Sequence, residues 1–220
     1  MKKYIYLIIS AINAGLVALY ITFLVPNTIV PMHFNLNGEV DRYGSKWELM
    51  ILAGIPFALC LIYAIYNLIA EYMNLKSKNK KYTQKIFTGI FVFLLVLFWT
   101  LMIMTTTATA LDKNLVFGII TIFISLLFMF IGNIMPKLKQ NSVTGIRIKA
   151  TLNSEYVWKK ANRLGGFLAV IAGAVGVVAG LVGIALGEYA TVLLFAEIGV
   201  FLLTQIVVVI YANKLYKTVK

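Results

Sequence analysis

The sequence predicts an all-α integral membrane protein with six transmembrane helices and both termini in the cytoplasm. Apolar residues make up 61% of the 220 residues, charged residues make up only 13%, and the mean hydropathy is +0.90. A soluble domain is about half apolar and a quarter charged, so a bilayer must solvate much of this chain. At about 20 residues per span, the length allows six spans with short connections and no separate soluble domain. One structured outer loop and a cytoplasmic amphipathic helix before the fifth span complete the predicted architecture.

Six hydrophobic runs are long enough to cross a bilayer. They are Tyr4–Val25, Leu49–Ala70, Ile86–Thr107, Leu115–Met135, Leu164–Leu186 and Thr191–Tyr211. The first run is longer than the apolar part of a typical signal peptide and lacks a clear small-residue cleavage pattern, so we interpret it as a retained span. The chain shows no alternation of the kind found in membrane barrels, which favours helices. The single cysteine, Cys60, excludes an internal disulfide.

Basic residues predict the orientation of the spans. Seventeen of the twenty lysines and arginines precede span 1, follow span 6, or lie between spans 2 and 3 or spans 4 and 5; the other side holds only Arg42, Lys46 and Lys113. Because cytoplasmic loops are enriched in these residues, both termini are placed in the cytoplasm, and the net charge of +12 indicates attraction to anionic lipid rather than to nucleic acid. The seventeen are Lys2, Lys3, Lys76, Lys78, Lys80, Lys81, Lys85, Lys137, Lys139, Arg147, Lys149, Lys159, Lys160, Arg163, Lys214, Lys217 and Lys220. The outer loops are then Pro26–Glu48, Ala108–Asn114 and Gly187–Ala190.

The longest outer loop contains turn formers and polar groups that indicate a structured segment. His33, the only histidine, lies near Glu39 and Asp41, and such a set is one way to bind a divalent metal. The sequence has no pair of histidines four residues apart and no H-E-x-x-H motif, which weakens the metal interpretation. The alternative is a compact loop in which these side chains bond to the backbone while Tyr43 and Trp47 lie at the membrane interface. The candidate polar contacts for an external ligand are His33, Asn37, Asp41 and Lys46.

Two polar residues fall inside the sixth span. Glu197 is ionisable, and an ionisable group within a span is costly and is by default a functional candidate. It would carry a proton, receive a cation or pair with a buried partner; the alternative is a protonated carboxyl hydrogen-bonded to a neighbouring helix. Gln205 follows eight residues later on roughly the same face, which favours a polar track.

Small residues recur along the fifth span. Gly166, Gly173 and Gly180 are seven residues apart, and Gly176 and Gly180 form a G-x-x-x-G pair. Such spacing lets a second helix approach closely. Two interpretations remain open: packing inside the six-helix bundle, and an interface between two copies of the chain.

The longest charged segment, Gly145–Gly166, separates spans 4 and 5. Asn153 or Ser154 can cap a helix that begins at Glu155, where a carboxylate suits the positive end of the helix dipole. This helix runs through Arg163 into span 5. Its apolar face, a tryptophan beside that face and its basic face indicate an interfacial helix on a membrane surface.

This segment resembles the signature of the SdpI-type immunity protein family, in which a G-I-R-T-P-W-T-L-x-S-E-x-V-W-x-K-T-H-R pattern precedes a glycine-rich span. The matching residues are Gly145, Ile146, Arg147, Thr151, Leu152, Ser154, Glu155, Val157, Trp158, Lys160 and Arg163. Lys149-Ala150 replaces the usual Pro-Trp, and Ala161-Asn162 replaces the usual Thr-His. A role of that histidine in proton transfer or pH sensing therefore does not carry over.

The outer loop is similar to the domain of unknown function 1648 that accompanies this family. The matching residues are Pro31, His33, Phe34, Asn37, Gly38, Asp41, Gly44, Ser45 and Lys46. The resemblance divides the chain into a DUF1648-like region over 1–72, a basic loop with span 3 over 73–114, and an SdpI-like region over 115–220.

The resemblance implies a non-enzymatic, multi-pass protein of the bacterial plasma membrane, with no cofactor, that protects the cell against a secreted membrane-active peptide. The outer loop would face the toxin. The cytoplasmic motif would hold a transcriptional repressor, without direct contact to nucleic acid; the oligomeric state is left open. That motif comprises Arg147, Thr151, Ser154, Glu155, Trp158, Lys160 and Arg163. Two other functions are kept as alternatives: a small proton- or ion-coupled transporter using Glu197 and Gln205, and a membrane enzyme with a metal at His33.

Overall fold

A computed structural model describes residues 4–35, 37, 39–73, 79–107 and 112–219. Within these residues, six helices are long and apolar enough to cross a membrane, which confirms the predicted class. The long helices are α1 (Ile5–Phe23), α2 (Met50–Tyr72), α3 (Lys80–Thr107), α4 (Lys113–Ile134), α6 (Glu155–Leu186) and α7 (Ala190–Thr218). The shorter elements include strands β1 (Ile29–Phe34) and β2 (Val40–Ser45), the four-residue helix α5 (Lys149–Leu152), and single 3₁₀ turns at Lys46–Leu49 and Met135–Lys137.

Some sequence predictions fall outside the described residues. They concern Lys2, Lys3, Gly38, Lys76, Lys78, Lys220 and the 108–111 part of the predicted Ala108–Asn114 turn. The other short turn is confirmed. Gly187 ends α6 in the left-handed conformation with a φ of 64°, which suits a residue without a Cβ, and α7 begins at Ala190.

The chain divides into two compact units. Unit 1 comprises Met1–Lys76 and Phe91–Val116, and unit 2 comprises Ser77–Ile90 and Phe117–Lys220. The division cuts through α3 and α4, so each of these helices contributes to both units. The three sequence regions predicted from the family resemblance remain a prediction.

Unit 1 is built on the paired helices α1 and α2. Its core includes Val17 and Ile21 of α1, Ala53 of α2 and Met102 of α3. A hydrogen bond between side chains adds to this packing: Trp99 Nε1 donates to Asn13 Oδ1 at 2.8 Å. A buried polar group that finds a partner avoids the cost of desolvation without a hydrogen bond, so this bond ties α3 to α1.

The predicted structured outer loop is an antiparallel β-hairpin, formed by β1 and β2. The pairing includes Val30 with Gly44 and Phe34 with Val40, with irregular register around His33. Val30 is buried and Met32 packs beside it against the core of unit 1, whereas Ile29 and His33 are exposed. This alternation follows from the two-residue period of a strand and seats one face of the hairpin on the core.

In unit 2, α6 packs against α4 along the glycines that are seven residues apart. An ideal Cβ at Gly166 would lie 2.5 Å from the carbonyl oxygen of Gly132, and one at Gly173 would lie 2.5 Å from that of Ser125. At Gly180 the nearest backbone atom is the carbonyl oxygen of Gly118, at 2.8 Å. The partner positions on α4 are therefore also seven apart. This periodicity confirms the interpretation of internal packing, since the glycine face is covered within the chain.

Large apolar side chains cover the outside of the long helices. Phe23, Ile62, Phe167, Val178 and Leu203 are each more than half exposed. In water such surface would drive association, but in a bilayer it meets acyl chains of equal polarity. These exposed faces support the predicted contact with membrane lipid.

Candidate functional site

The turn of the hairpin is organised by Asn35. Its Oδ1 accepts from the backbone amides of Asn37 and Glu39, at 2.9 and 3.0 Å, and its Nδ2 donates to Glu39 Oε2 at 3.0 Å. Asparagine side chains commonly replace a backbone acceptor in tight turns. The turn is thus closed by one residue that the sequence analysis did not single out as part of a site, although its place before an Asn-Gly pair is a hairpin signal.

Two exposed pairs of polar side chains lie on the hairpin and at its junction with α2. His33 Nδ1 lies 2.6 Å from Asp41 Oδ1, and the two side chains are 66% and 43% exposed. Arg42 Nη1 donates to Glu48 Oε2 at 2.9 Å. Exposed pairs of this kind contribute little to stability because water and salt screen them. Their value lies in presenting polar groups in a fixed arrangement, and the structure brings the predicted contacts His33 and Asp41 together.

The base of β2 is tied to both neighbouring helices. Ser45 caps the turn that leads into α2, and its own amide donates to Glu48 Oε1 at 3.0 Å, which completes a reciprocal capping box. Lys46, predicted as a ligand contact, is partly buried, and its Nζ donates to the carbonyl oxygen of Val25 at 2.8 Å. Val25 follows the end of α1 by two residues, so this bond holds the base of the hairpin at the segment that leaves α1. Lys46 therefore anchors the hairpin to α1.

The three proposed metal ligands do not converge. Asp41 pairs with His33, whereas the Glu39 carboxylate is held by Asn35 at the turn. No group of three or more His, Cys, Asp or Glu side chains suited to a metal occurs among the residues that the structure describes. The geometry of this hairpin is that of two separate polar contacts.

The segment before α6 is clamped onto that helix by Asn162, which is fully buried. Its Oδ1 accepts from the amide of Ile146 at 3.0 Å, and its Nδ2 donates to the carbonyl oxygen of Trp158 at 3.0 Å. Gly145 makes the approach feasible, since its φ of 103° strains other residues and a Cβ there would lie 2.6 Å from Asn162 Oδ1. The position where the family pattern has histidine is structural in this chain.

Thr151 provides a second internal contact in the same segment. It is fully buried, its Oγ1 lies 2.7 Å from the carbonyl oxygen of Ile146, and the amide of Ile148 donates to it at 3.0 Å. Ser154 caps α6 by accepting from the amide of Val157, which confirms the predicted cap at this position. Thr151 and Ser154 therefore shape the motif instead of presenting a binding surface.

Trp158 is buried inside the protein, so the prediction that its side chain is an exposed anchor at the membrane surface is wrong. The side chain is 1% exposed, packs with Ile134 and Leu138, and donates from Nε1 to the carbonyl oxygen of Leu138 at 2.8 Å. The helix is also unbroken from Glu155 through the predicted junction into the fifth span. Burial of a large ring with a satisfied N–H is the more stable arrangement, so Trp158 joins the core.

The exposed part of this motif is basic. Arg147, Glu155, Lys160 and Arg163 are all exposed, so the structure places four of the seven predicted motif residues at the surface. Arg147 Nη1 donates to the carbonyl oxygen of Ser142, and Lys160 Nζ lies 5.6 Å from the centre of the Tyr156 ring. We define the basic face as Arg147, Lys149, Lys159, Lys160 and Arg163.

Glu197 is buried between α4 and α6. Its side chain approaches Gly176, where a Cβ would lie 2.6 Å from Oε1, and Ser125 Oγ approaches the same point. Gln205, further along α7, approaches Gly165 at 3.6 Å from the corresponding position. Both polar residues therefore face α6, as the predicted polar track requires. Ser125 was not identified from sequence, because a lone serine in a span carries no pattern that distinguishes it.

Comparison with known proteins gives two family matches. The model of the SdpI/YfhL protein family matches residues 137–212, and the model of the domain of unknown function DUF1648 matches residues 8–56. These segments lie in the predicted order and confirm the family resemblance. Together with the six apolar helices of the described residues, they show a multi-pass plasma-membrane protein, and the similarity to the SdpI/YfhL family supports a membrane immunity-type role. No curated protein and no solved structure matches the chain.

Proposed function

We propose that this SdpI-type chain is an immunity protein that captures a secreted, membrane-active peptide at its β-hairpin and so protects the cell. The observation that supports this most directly is the exposed pair of His33 and Asp41 on a hairpin anchored at its base by Lys46 and by the Ser45–Glu48 capping box. A preorganised surface loses little conformational entropy when it binds. The hairpin acts by binding the peptide before the peptide inserts.

Polar groups and apolar surface are combined on this hairpin. Ile29 is 63% exposed and Tyr43 is 61% exposed, near the charged pairs of β2. A membrane-active peptide is amphipathic, with an apolar face for the bilayer and a polar face for water. Such a peptide finds apolar contacts and hydrogen-bonding groups together on this surface.

Expression in a toxin-sensitive host tests the proposal. Cells that produce the chain should survive peptide challenge, and the double change His33→Ala with Asp41→Ala should reduce protection about tenfold or more, the equivalent of losing roughly 1.4 kcal/mol of binding free energy. Lys113→Ala, at an exposed position outside the hairpin, is the control. Membrane levels of each variant are measured by immunoblot.

Three outcomes count against this function. Full protection by the hairpin variant at normal membrane level removes the hairpin from the contact. Loss of protection in Glu197→Gln, with a silent hairpin, favours the transporter alternative. Unchanged sensitivity of a deletion strain to every secreted toxin of the producer and its relatives shows that immunity is not the role.

We propose further that the basic face holds a cytoplasmic transcriptional repressor at the membrane once peptide is bound. The support is its charge: within 145–166 the five basic side chains stand against one acid, Glu155. An acidic surface on the partner would be attracted, and the attraction would weaken with salt.

The repressor contact predicts a charge-dependent change in location. A fluorescent fusion of the candidate repressor should move to the membrane on peptide challenge, and Lys159→Glu with Arg163→Glu should abolish this movement, because like charges then oppose. Protection from the peptide should remain. Lys113→Glu is the matched charge reversal outside the motif; equal loss in this control would show that the effect is not specific to the basic face.

A further inference from the structure

A carboxyl group in the interior of unit 2 has one oxygen atom without a hydrogen-bond partner. Glu197 is 3% exposed and lies seven residues into α7, about 10 Å along the helix axis from its first residue. Within the part of the chain that the structure describes, its Oε1 makes no hydrogen bond, and neither does Ser125 Oγ, which is fully buried. Buried polar atoms without partners are rare in native proteins, and each one needs a physical explanation.

Both side chains lie against the same glycine of α6. Ser125 Oγ and the Glu197 carboxyl both approach the point where Gly176 would carry a Cβ, and Oε1 lies 2.6 Å from that point. Any larger residue at 176 would collide with both groups. Gly176 therefore leaves room both for Ser125 of α4 and for the Glu197 carboxyl of α7.

The described segments that approach this carboxyl contain no fixed countercharge. Residues 117–134 of α4 and 164–186 of α6, the segments that approach it, include no charged or titratable side chain. On α7 itself the next titratable residue is Tyr211, about four turns away. An isolated carboxylate in an apolar interior is strongly disfavoured. Binding of a proton neutralises the carboxylate without requiring a bound metal cation.

We propose that Glu197, Ser125 and Gly176 form a reversible proton-binding site inside the helix bundle of unit 2. In the protonated state a side-chain rotation lets the carboxyl O–H donate to Ser125 Oγ, a bond that is not formed in the present arrangement. When the proton leaves to water, the bonding electron pair stays on the carboxylate, and the Ser125 hydroxyl rotates to donate to it. The serine thus offers a hydrogen bond in both states, and Gly176 provides the space for the exchange. This site is independent of the peptide contact at the hairpin.

Carbodiimide labelling of the full-length protein in proteoliposomes tests this site. Dicyclohexylcarbodiimide is apolar and adds to a protonated carboxyl: the acid proton goes to nitrogen, the carboxylate oxygen bonds to the central carbon, and the adduct rearranges to a stable N-acylurea. Mass spectrometry locates the adduct. We expect labelling at Glu197 whose rate falls about tenfold for each pH unit above its midpoint. Glu197→Gln should lose the label.

Two variants that each remove one hydroxyl of α4 distinguish a proton-binding site from a carboxyl that is merely buried. A hydroxyl bonds more strongly to a charged acceptor than to a neutral one, so Ser125→Ala should extend labelling upward by about one pH unit. Thr121→Val removes another buried hydroxyl of α4, whose Oγ1 already donates to the carbonyl oxygen of Phe117 at 2.8 Å. This control should leave the midpoint in place.

The proposal fails on any of three results. No adduct at Glu197 at any pH would show that the carboxyl is not a protonated acid in the bundle. A labelling rate that stays constant from about pH 5 to about pH 9 would show a permanently protonated, structural acid. Slower labelling when sodium replaces choline at fixed pH would assign the site to a metal cation. Infrared difference spectra provide an independent measurement, since a pH-dependent carboxyl band should disappear in Glu197→Gln.

Discussion

Single residues in the 145–163 segment show why a sequence pattern predicts local contacts but not distant ones. The cap at Ser154 could be predicted because it depends only on the amide of Val157, three residues along. The bonds of Asn162 could not, because they reach Ile146, sixteen residues away, through a fold that local spacing does not describe. Trp158 was expected at the interface for the same reason: composition shows an aromatic residue beside lysines, but not the Leu138 carbonyl that accepts its N–H.

Asn162→Ala should destabilise unit 2 without changing its charge. The variant leaves the amide of Ile146 without its acceptor, at a cost of about 1–3 kcal/mol for a buried donor. The melting temperature in detergent, followed by fluorescence-detected size exclusion, should therefore fall. The exposed Asn213 supplies a control, since Asn213→Ala should shift the midpoint by much less. Equal midpoints for the two variants would contradict a clamping role for Asn162.

At the level of elements, hydropathy alone predicted the apolar core of each helix but not its charged ends, and the start of α6 at Glu155 was predicted from its cap instead. Hydropathy placed the third span from Ile86 and the fifth from Leu164, whereas the helices begin at Lys80 and Glu155. Hydropathy measures the cost of leaving water, and a helix continues into the interface wherever its backbone bonds remain satisfied. The hairpin went unpredicted as a strand pair because strands this short carry a weak signal, although its structured character was expected.

Gly173→Ala should destabilise the pairing of α4 and α6. Alanine favours a helix over glycine by about 1 kcal/mol, but its Cβ would lie 2.5 Å from a backbone oxygen that cannot move aside, and overpacking costs about 1–3 kcal/mol. The clash therefore outweighs the gain. Gly199→Ala makes the same chemical change where nothing lies within 4 Å, so its stability should stay equal or rise. Thermal unfolding in detergent measures both; a more stable Gly173→Ala protein would disprove the close contact.

At the scale of the whole molecule, the membrane class follows from composition alone, but the orientation rests on a different kind of evidence. A sequence that is 61% apolar cannot hide its surface in water, and six helices of sufficient length result. Which side each loop faces depends on the electrostatics of insertion, through lysine and arginine near the ends of the spans. The orientation is therefore a separate prediction, and it underlies both the peptide contact at the hairpin and the repressor contact at the basic face.

Labelling of single cysteines tests the orientation directly. The only native thiol, Cys60, is buried and can be replaced by alanine to give a cysteine-free background. In that background, Asn37→Cys lies on the exposed turn of the hairpin and Lys149→Cys on the basic face. A membrane-impermeant maleimide added to intact cells should modify position 37, and position 149 should react only after the membrane is permeabilised. The reverse labelling pattern would show that the protein has the opposite orientation in the membrane. The hairpin would then face the cytoplasm and could not bind a secreted peptide before the peptide enters the cell.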